Sequence, residues 1–135
     1  MAPGAPPSQN KSMVRNSMLF DGRYQQSMHT GKFDGILFEG ISTLAYDNAK
    51  KSYISTWIDN MGTGIMVMEG KPSAKGKTLH MQGKMVDPVT GKDMDVREEI
   101  TFVDADTQIM KMFLTPIDGK EFQTMEIVMK RKKVD

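Results

Sequence analysis

Turn-forming residues interrupt this chain roughly every twelve positions along almost its whole length: Asp21-Gly22, the Gly31 to Gly35 stretch, Asp47-Asn48, Asn60 to Gly62, Gly70 to Gly76, Asp87 to Gly91, Asp104 to Asp106 and Pro116 to Gly119. The intervals are too short for well-formed amphipathic helices, and they are rich in β-branched, aromatic and methionine residues that often alternate with polar ones. They read as nine strands, at 11–20, 23–30, 36–46, 52–59, 64–69, 77–86, 92–103, 108–115 and 120–131. Asp-Gly dipeptides at 21–22 and 118–119 supply the positive φ angles of tight hairpins, so neighbouring strands are expected to pair antiparallel.

Alternation shows which face of each strand is dry. In 108–115, Met110, Met112 and Leu114 share a side opposite Lys111; in 92–103, Met94, Val96, Ile100 and Phe102 oppose Asp93, Asp95, Arg97 and Glu99. In 120–131, Met125, Ile127 and Met129 oppose Thr124, Glu126 and Lys130. Many sequential strands with one apolar face must hide that face and both sheet edges. An all-β antiparallel up-and-down meander of about nine to ten strands, curled into a barrel, does so with short connections, whereas a sandwich usually needs longer crossings. Ile109, Phe113, Phe122 and Val128 fall by parity on the polar side, which suggests an outer surface covered by self-association or by docking to another protein.

At 135 residues the chain is the size of one domain. A proline-rich segment at 1–10, a β-barrel domain at 11–131 and a basic tail at 132–135 are expected. The absence of cysteine excludes disulfides, thiol catalysis and metal-thiolate sites. A net charge of +1 provides no field to attract nucleic acid, and no aromatic-basic interleaving accompanies Lys130-Arg131-Lys132-Lys133, which reads as a solvated tail. No apolar run approaches the ~20 residues of a membrane span. Residues 1–8 contain three prolines and no apolar core, so they are not a signal peptide as they stand, and the compartment stays open.

The stretches Phe38-Glu39-Gly40-Ile41-Ser42-Thr43-Leu44-Ala45-Tyr46-Asp47-Asn48 and Tyr53-Ile54-Ser55-Thr56-Trp57-Ile58-Asp59-Asn60-Met61-Gly62-Thr63-Gly64 bear a resemblance, together with Asp87-Pro88-Val89-Thr90-Gly91-Lys92 and Asp118-Gly119-Lys120-Glu121-Phe122. The chain resembles, over roughly residues 3–131, a bacterial family known as domain of unknown function 1579. That family is grouped with the lipocalin-like, or calycin, β-barrels, so the resemblance implies such a barrel here. It implies no activity.

A small barrel is either filled by side chains or holds one small ligand. The residues expected to line a pocket are Tyr53 and Trp57, which share a face four positions apart, the even-spaced pairs Met66/Met68 and Met110/Met112, and Glu98. Glu98 shares a side with Met94, Val96, Ile100 and Phe102, where a charge must be paired or neutralised unless a bulge turns it outward. Even-spaced thioethers suit Cu(I), but every core-facing pair in a strand has that spacing and methionine fills irregular interiors well, so packing is the primary reading. His80 reads as solvated, no histidine-carboxylate spacing supports zinc or iron, and Asp104-Ala105-Asp106 reads as a turn because it lacks the later ligands of a calcium loop. No catalytic constellation and no cofactor is indicated. The expected function is non-catalytic binding of a small apolar or amphipathic ligand in the interior. The alternative is a filled structural barrel acting through a homodimer or protein docking, and an enzyme using His80 or Glu98, or a Cu(I) protein, ranks below both.

Overall fold

The computed structural model describes residues 9–87 and 89–132. It contains nine strands and, among those residues, no helix: β1 (Ser12–Leu19), β2 (Tyr24–Phe33), β3 (Ile36–Asp47), β4 (Ser52–Asp59), β5 (Met66–Pro72), β6 (Thr78–Val86), β7 (Asp93–Asp104), β8 (Thr107–Thr115) and β9 (Phe122–Lys130). Hydrogen-bonded neighbours are chain neighbours throughout, so the fold is the expected all-β up-and-down meander. The registered pairs are antiparallel. The proline-rich start, as far as Ser8, and residues 133–135 of the basic tail lie outside the described residues, as does Pro88 of one expected turn.

The strand positions expected from turn spacing match the structure closely, and the differences have local causes. β2 continues to Phe33, past the expected end at 30, because the tight turn is made by Asp34-Gly35 alone: both adopt positive φ (53° and 79°), and two such residues close a hairpin whose twist matches its strands. Gly31, read from sequence as part of the turn, is an ordinary ladder residue opposite Ser12 and Phe38. At 118–119 only Asp118 has positive φ, and Gly119 N–H instead closes a turn on Pro116 O at 3.0 Å.

The chain divides into two compact units whose described parts are residues 9–69 and 70–132, with the boundary inside β5. In the first unit the register brings Asn16, Ser27, Ser42 and Trp57 onto one face, with Val14, His29, Gly40 and Asp59 in the next row. This is the inner face: Ser27 and Gly40 are buried, and most side chains around them are half-buried. Ser27 Oγ is satisfied by Asn16 Oδ1 at 2.5 Å. The opposite, outer face carries exposed Met13, Arg15, Met28, Leu37, Glu39 and Ile58.

In the second unit the inner rows are Leu79–Ile100–Met110–Ile127, Met81–Glu98–Met112–Met125 and Gly83–Val96–Leu114–Phe122. Leu79, Met81 and Val96 are sealed from solvent. Phe122 departs from the expected parity: β8 pairs Met112 with Met125 but Phe113 with Gln123, and the bulge returns Phe122 to the inner face opposite Leu114. The outer face is organised by Arg97. Its guanidinium lies 4.1 Å over the Phe113 ring, forks onto both Glu121 oxygens (2.8 and 3.3 Å) and meets Glu99 at 2.5 Å. Hydrogen bonds from Arg97 hold Glu121 below the usual carboxylate range, while Glu121 and then Glu99 raise the guanidinium's own pKa.

Candidate functional site

Tyr53 and Trp57 occupy the inner face of β4, as their spacing predicts. The Trp57 indole lies 6.2 Å from the Phe38 ring in a nearly parallel stack and 5.1 Å from the His29 ring, edge-on. Phe33 continues the cluster at 5.4 Å from Phe38, and Tyr46 and Tyr53 form a separate pair at 5.0 Å. Indole Nε1 donates to Asp59 Oδ2 at 2.7 Å, so the ring is fixed at its polar end. The ring needs Gly40: a methyl group there would fall inside the van der Waals surface of the indole's six-membered ring. A glycine in mid-strand thus marks where a large ring crosses the backbone. Burial lowers the pKa of His29, so its imidazole is neutral among these rings at neutral pH.

Met66 and Met68 lie on β5 and share a face. Met68 is sealed at 2% exposure and Met66 is half-buried, while Val67 and Glu69 are exposed, and Glu69 accepts from Ser52 Oγ at 2.8 Å. Met68 is therefore a packed residue. Tyr53 and Trp57 belong with the first unit's inner face, whereas Glu98, Met110 and Met112 belong with the second unit's.

Glu98 remains on the inner face. The β6–β7 register is unbroken from Thr78↔Thr101 to Val86↔Asp93, so no bulge turns it outward, and its cross-strand neighbours are Met81 and Met112. Desolvation pushes its pKa up to about 7. No described residue gives it a hydrogen bond or an ion pair, yet its carboxyl oxygens are not sealed from solvent. His80, the alternative acid-base candidate read from the sequence, sits opposite Glu99 on the outer face and is exposed. The two groups point away from each other across one strand pair, which removes the geometry of a cooperating acid and base. Among the described residues no three His, Asp or Glu side chains gather as a metal site.

The expected outer apolar patch is not one exposed surface. Phe122 faces inward, Phe113 lies under Arg97, Ile109 is half-buried, and Val128 is exposed. An outward concavity of about 320 Å³ lies instead in the first unit, lined by Met28, Ile41 and Ile58 with Glu39 and Asn60 at its rim. Sequence reasoning missed it, although the signal was present: Met28, Ile41 and Ile58 align only once the register of β2, β3 and β4 is fixed. The turn at Asp104-Ala105-Asp106 is exposed, as a solvated turn should be, and surface contacts hold it. Asp104 Oδ1 accepts from the Asp106 N–H at 2.8 Å, and Arg131 pairs with the Asp106 carboxylate at 2.9 Å and reaches Ala105 O at 3.1 Å. Arg131 is thus a clamp on the turn.

No curated protein matches the chain. A family match extends over residues 1–131, taking in both units and every strand. The chain therefore belongs to the family described as protein of unknown function (DUF1579).

Proposed function

We propose that the protein binds a small apolar or amphipathic molecule against its inner-face side chains and catalyses no reaction on it. The observation that carries this reading is how little of the apolar lining is sealed. Among the described residues only Met68, Leu79, Met81 and Val96 form a fully buried hydrophobic core. The largest inner-face rings, Trp57, Phe38 and Tyr53, are only half-buried. A core filled by its own side chains seals its bulkiest members first, because they have the most apolar area to remove from water. Rings left partly wet, pinned by Asp59 and Gly40, are suited to a ligand with an apolar body. The resemblance to lipocalin-like proteins supports this reading by analogy of fold. Tyr53, Trp57 and Met66 are the lining residues proposed for the first unit, and Met110, Met112 and Glu98 for the second.

Native mass spectrometry of freshly purified protein, followed by competition between a fluorescent apolar probe and extracted lipids, tests the proposal. Saturable uptake at one or a few molecules per chain, weakened by Trp57→Ala, is expected. An apo mass with no saturable uptake would overturn it.

A further inference from the structure

Among the described residues of β6 to β9, one charged side chain, Glu98, lies on the inner face. Glu98 stands in a row with Met81, Met112 and Met125, and Met110 lies in the next row. Every Lys and Arg of these strands lies on the other face, and two are already engaged there: Lys84 with Asp95 at 2.7 Å and Arg97 with Glu99 and Glu121. A carboxyl set between two thioethers, with no partner among the described residues, adds nothing that leucine or methionine would not give to packing, and its desolvation has a cost. Such a group is explained by an occupant that brings the missing charge.

We propose that Glu98, beside the half-buried Met112, receives the ammonium group of an amphipathic amine, whose apolar body lies along the neighbouring methionines. The proposal rests on the ligand-binding reading above and deepens it. A cation beside Glu98 restores the ion pair that the strand ladder denies it, in surroundings drier than bulk water, where the attraction is stronger. Methionine suits the remainder of such a ligand. Its unbranched, polarizable side chain repacks around bodies of different shape, and Met112 and Met125 present thioethers in the carboxyl's own row with Met110 in the row beside it. The chemistry specifies a primary or secondary amine on a hydrocarbon chain or ring, and excludes fatty acids, whose carboxylate would face Glu98 with like charge.

Calorimetric titration of the delipidated full chain at neutral pH with octylammonium, 1-octanol and octanoate separates the two levels of the argument. Octylammonium is expected to bind about tenfold more tightly than octanol, with octanoate weakest. Glu98→Gln is expected to erase the preference for the amine, so that octylammonium and octanol bind that variant with equal affinity. Equal affinities for all three, or a preference that survives in Glu98→Gln, would overturn the amine proposal and leave ligand binding standing. Failure of all three to bind, at the inner face or elsewhere, would overturn both. Stoichiometric Cu(I) uptake against a chelator, lost in Glu98→Gln and in Met112→Leu alike, would assign the row to a soft metal ion and overturn the amine. Thermal melts of both variants establish that they are folded.

Discussion

The two units make the same kind of surface from different side chains. Residues 9–69 line their inner face with rings, Trp57, His29, Phe33, Phe38, Tyr46 and Tyr53, and the β6–β9 strands line theirs with methionines around one carboxyl. Rings are rigid and demand shaped neighbours; the indole of Trp57 requires both the bare backbone of Gly40 and the carboxylate of Asp59. Thioethers on flexible stems demand little, and they tolerate changes of volume. The outer faces differ as well. All four ion pairs found among the described residues fall in the second unit, while the first unit's outer face has an apolar concavity in their place.

The contrast predicts different tolerance to substitution. Met81, 1% exposed, is expected to lose about 2–5 kcal/mol on conversion to alanine but less than about 1.5 kcal/mol on conversion to leucine, as measured by urea unfolding. A Met81→Leu variant as damaging as Met81→Ala would show that the thioether lining is a fitted surface and break the comparison. Gly40→Ala adds one methyl group yet is expected to cost about 1–3 kcal/mol, because the indole must leave its rotamer to admit it. Restoration of that loss in Gly40→Ala combined with Trp57→Phe would sharpen the assignment of the cost to the ring.

The units are also expected to respond to pH in opposite senses. Glu98 has a folded pKa near 7, above the ordinary value of 4.5, so its contribution is present below about 4.5 and is lost as the pH rises to 7. Glu98→Gln is expected to remove that slope and to raise stability at pH 7.5 by about 1–2 kcal/mol, a figure discounted for the solvent that reaches the carboxyl. His29 has a folded pKa below 6.5, so its contribution is present above 6.5 and is lost as the pH falls through the folded value. His29→Gln should remove the acid-side loss while leaving the Glu98 slope in place. Chemical denaturation of both variants between pH 4 and 8 checks the signs, and a Glu98→Gln profile identical to the parent would place the carboxyl in water.

Smaller effects are expected on the outer face. Arg97→Ala removes a cation over Phe113 and the forked contact to Glu121, and a loss of about 1 kcal/mol is expected. Lys84→Ala, which removes a fully exposed pair with Asp95, is expected to leave the unfolding midpoint unchanged.

Much of this structure was legible in the chain. Nine strands, their antiparallel succession and the dry face of β7 and β8 follow from turn residues and alternation, which are local properties. Tyr53 and Trp57 on one face, and Met110 and Met112 on one face, follow from the two-residue repeat of a strand. Parity failed at Phe122 because a single bulge residue inverts every side chain beyond it, and no local signal at 122–125 distinguishes a bulge from regular strand. Glu98 could be placed among apolar neighbours by counting, but its isolation could not be counted, since having no partner is a property of every strand packed around it. The ring cluster, the outward concavity and the Arg131 clamp likewise join residues far apart in sequence. By itself, then, the sequence determined the strands, their order and the faces they present, because backbone geometry repeats every two residues. Tertiary structure alone decided which of those side chains meet, and left the inner-face carboxyl of Glu98 without a partner among the described residues, because registers between strands are set by the packing of whole faces against each other.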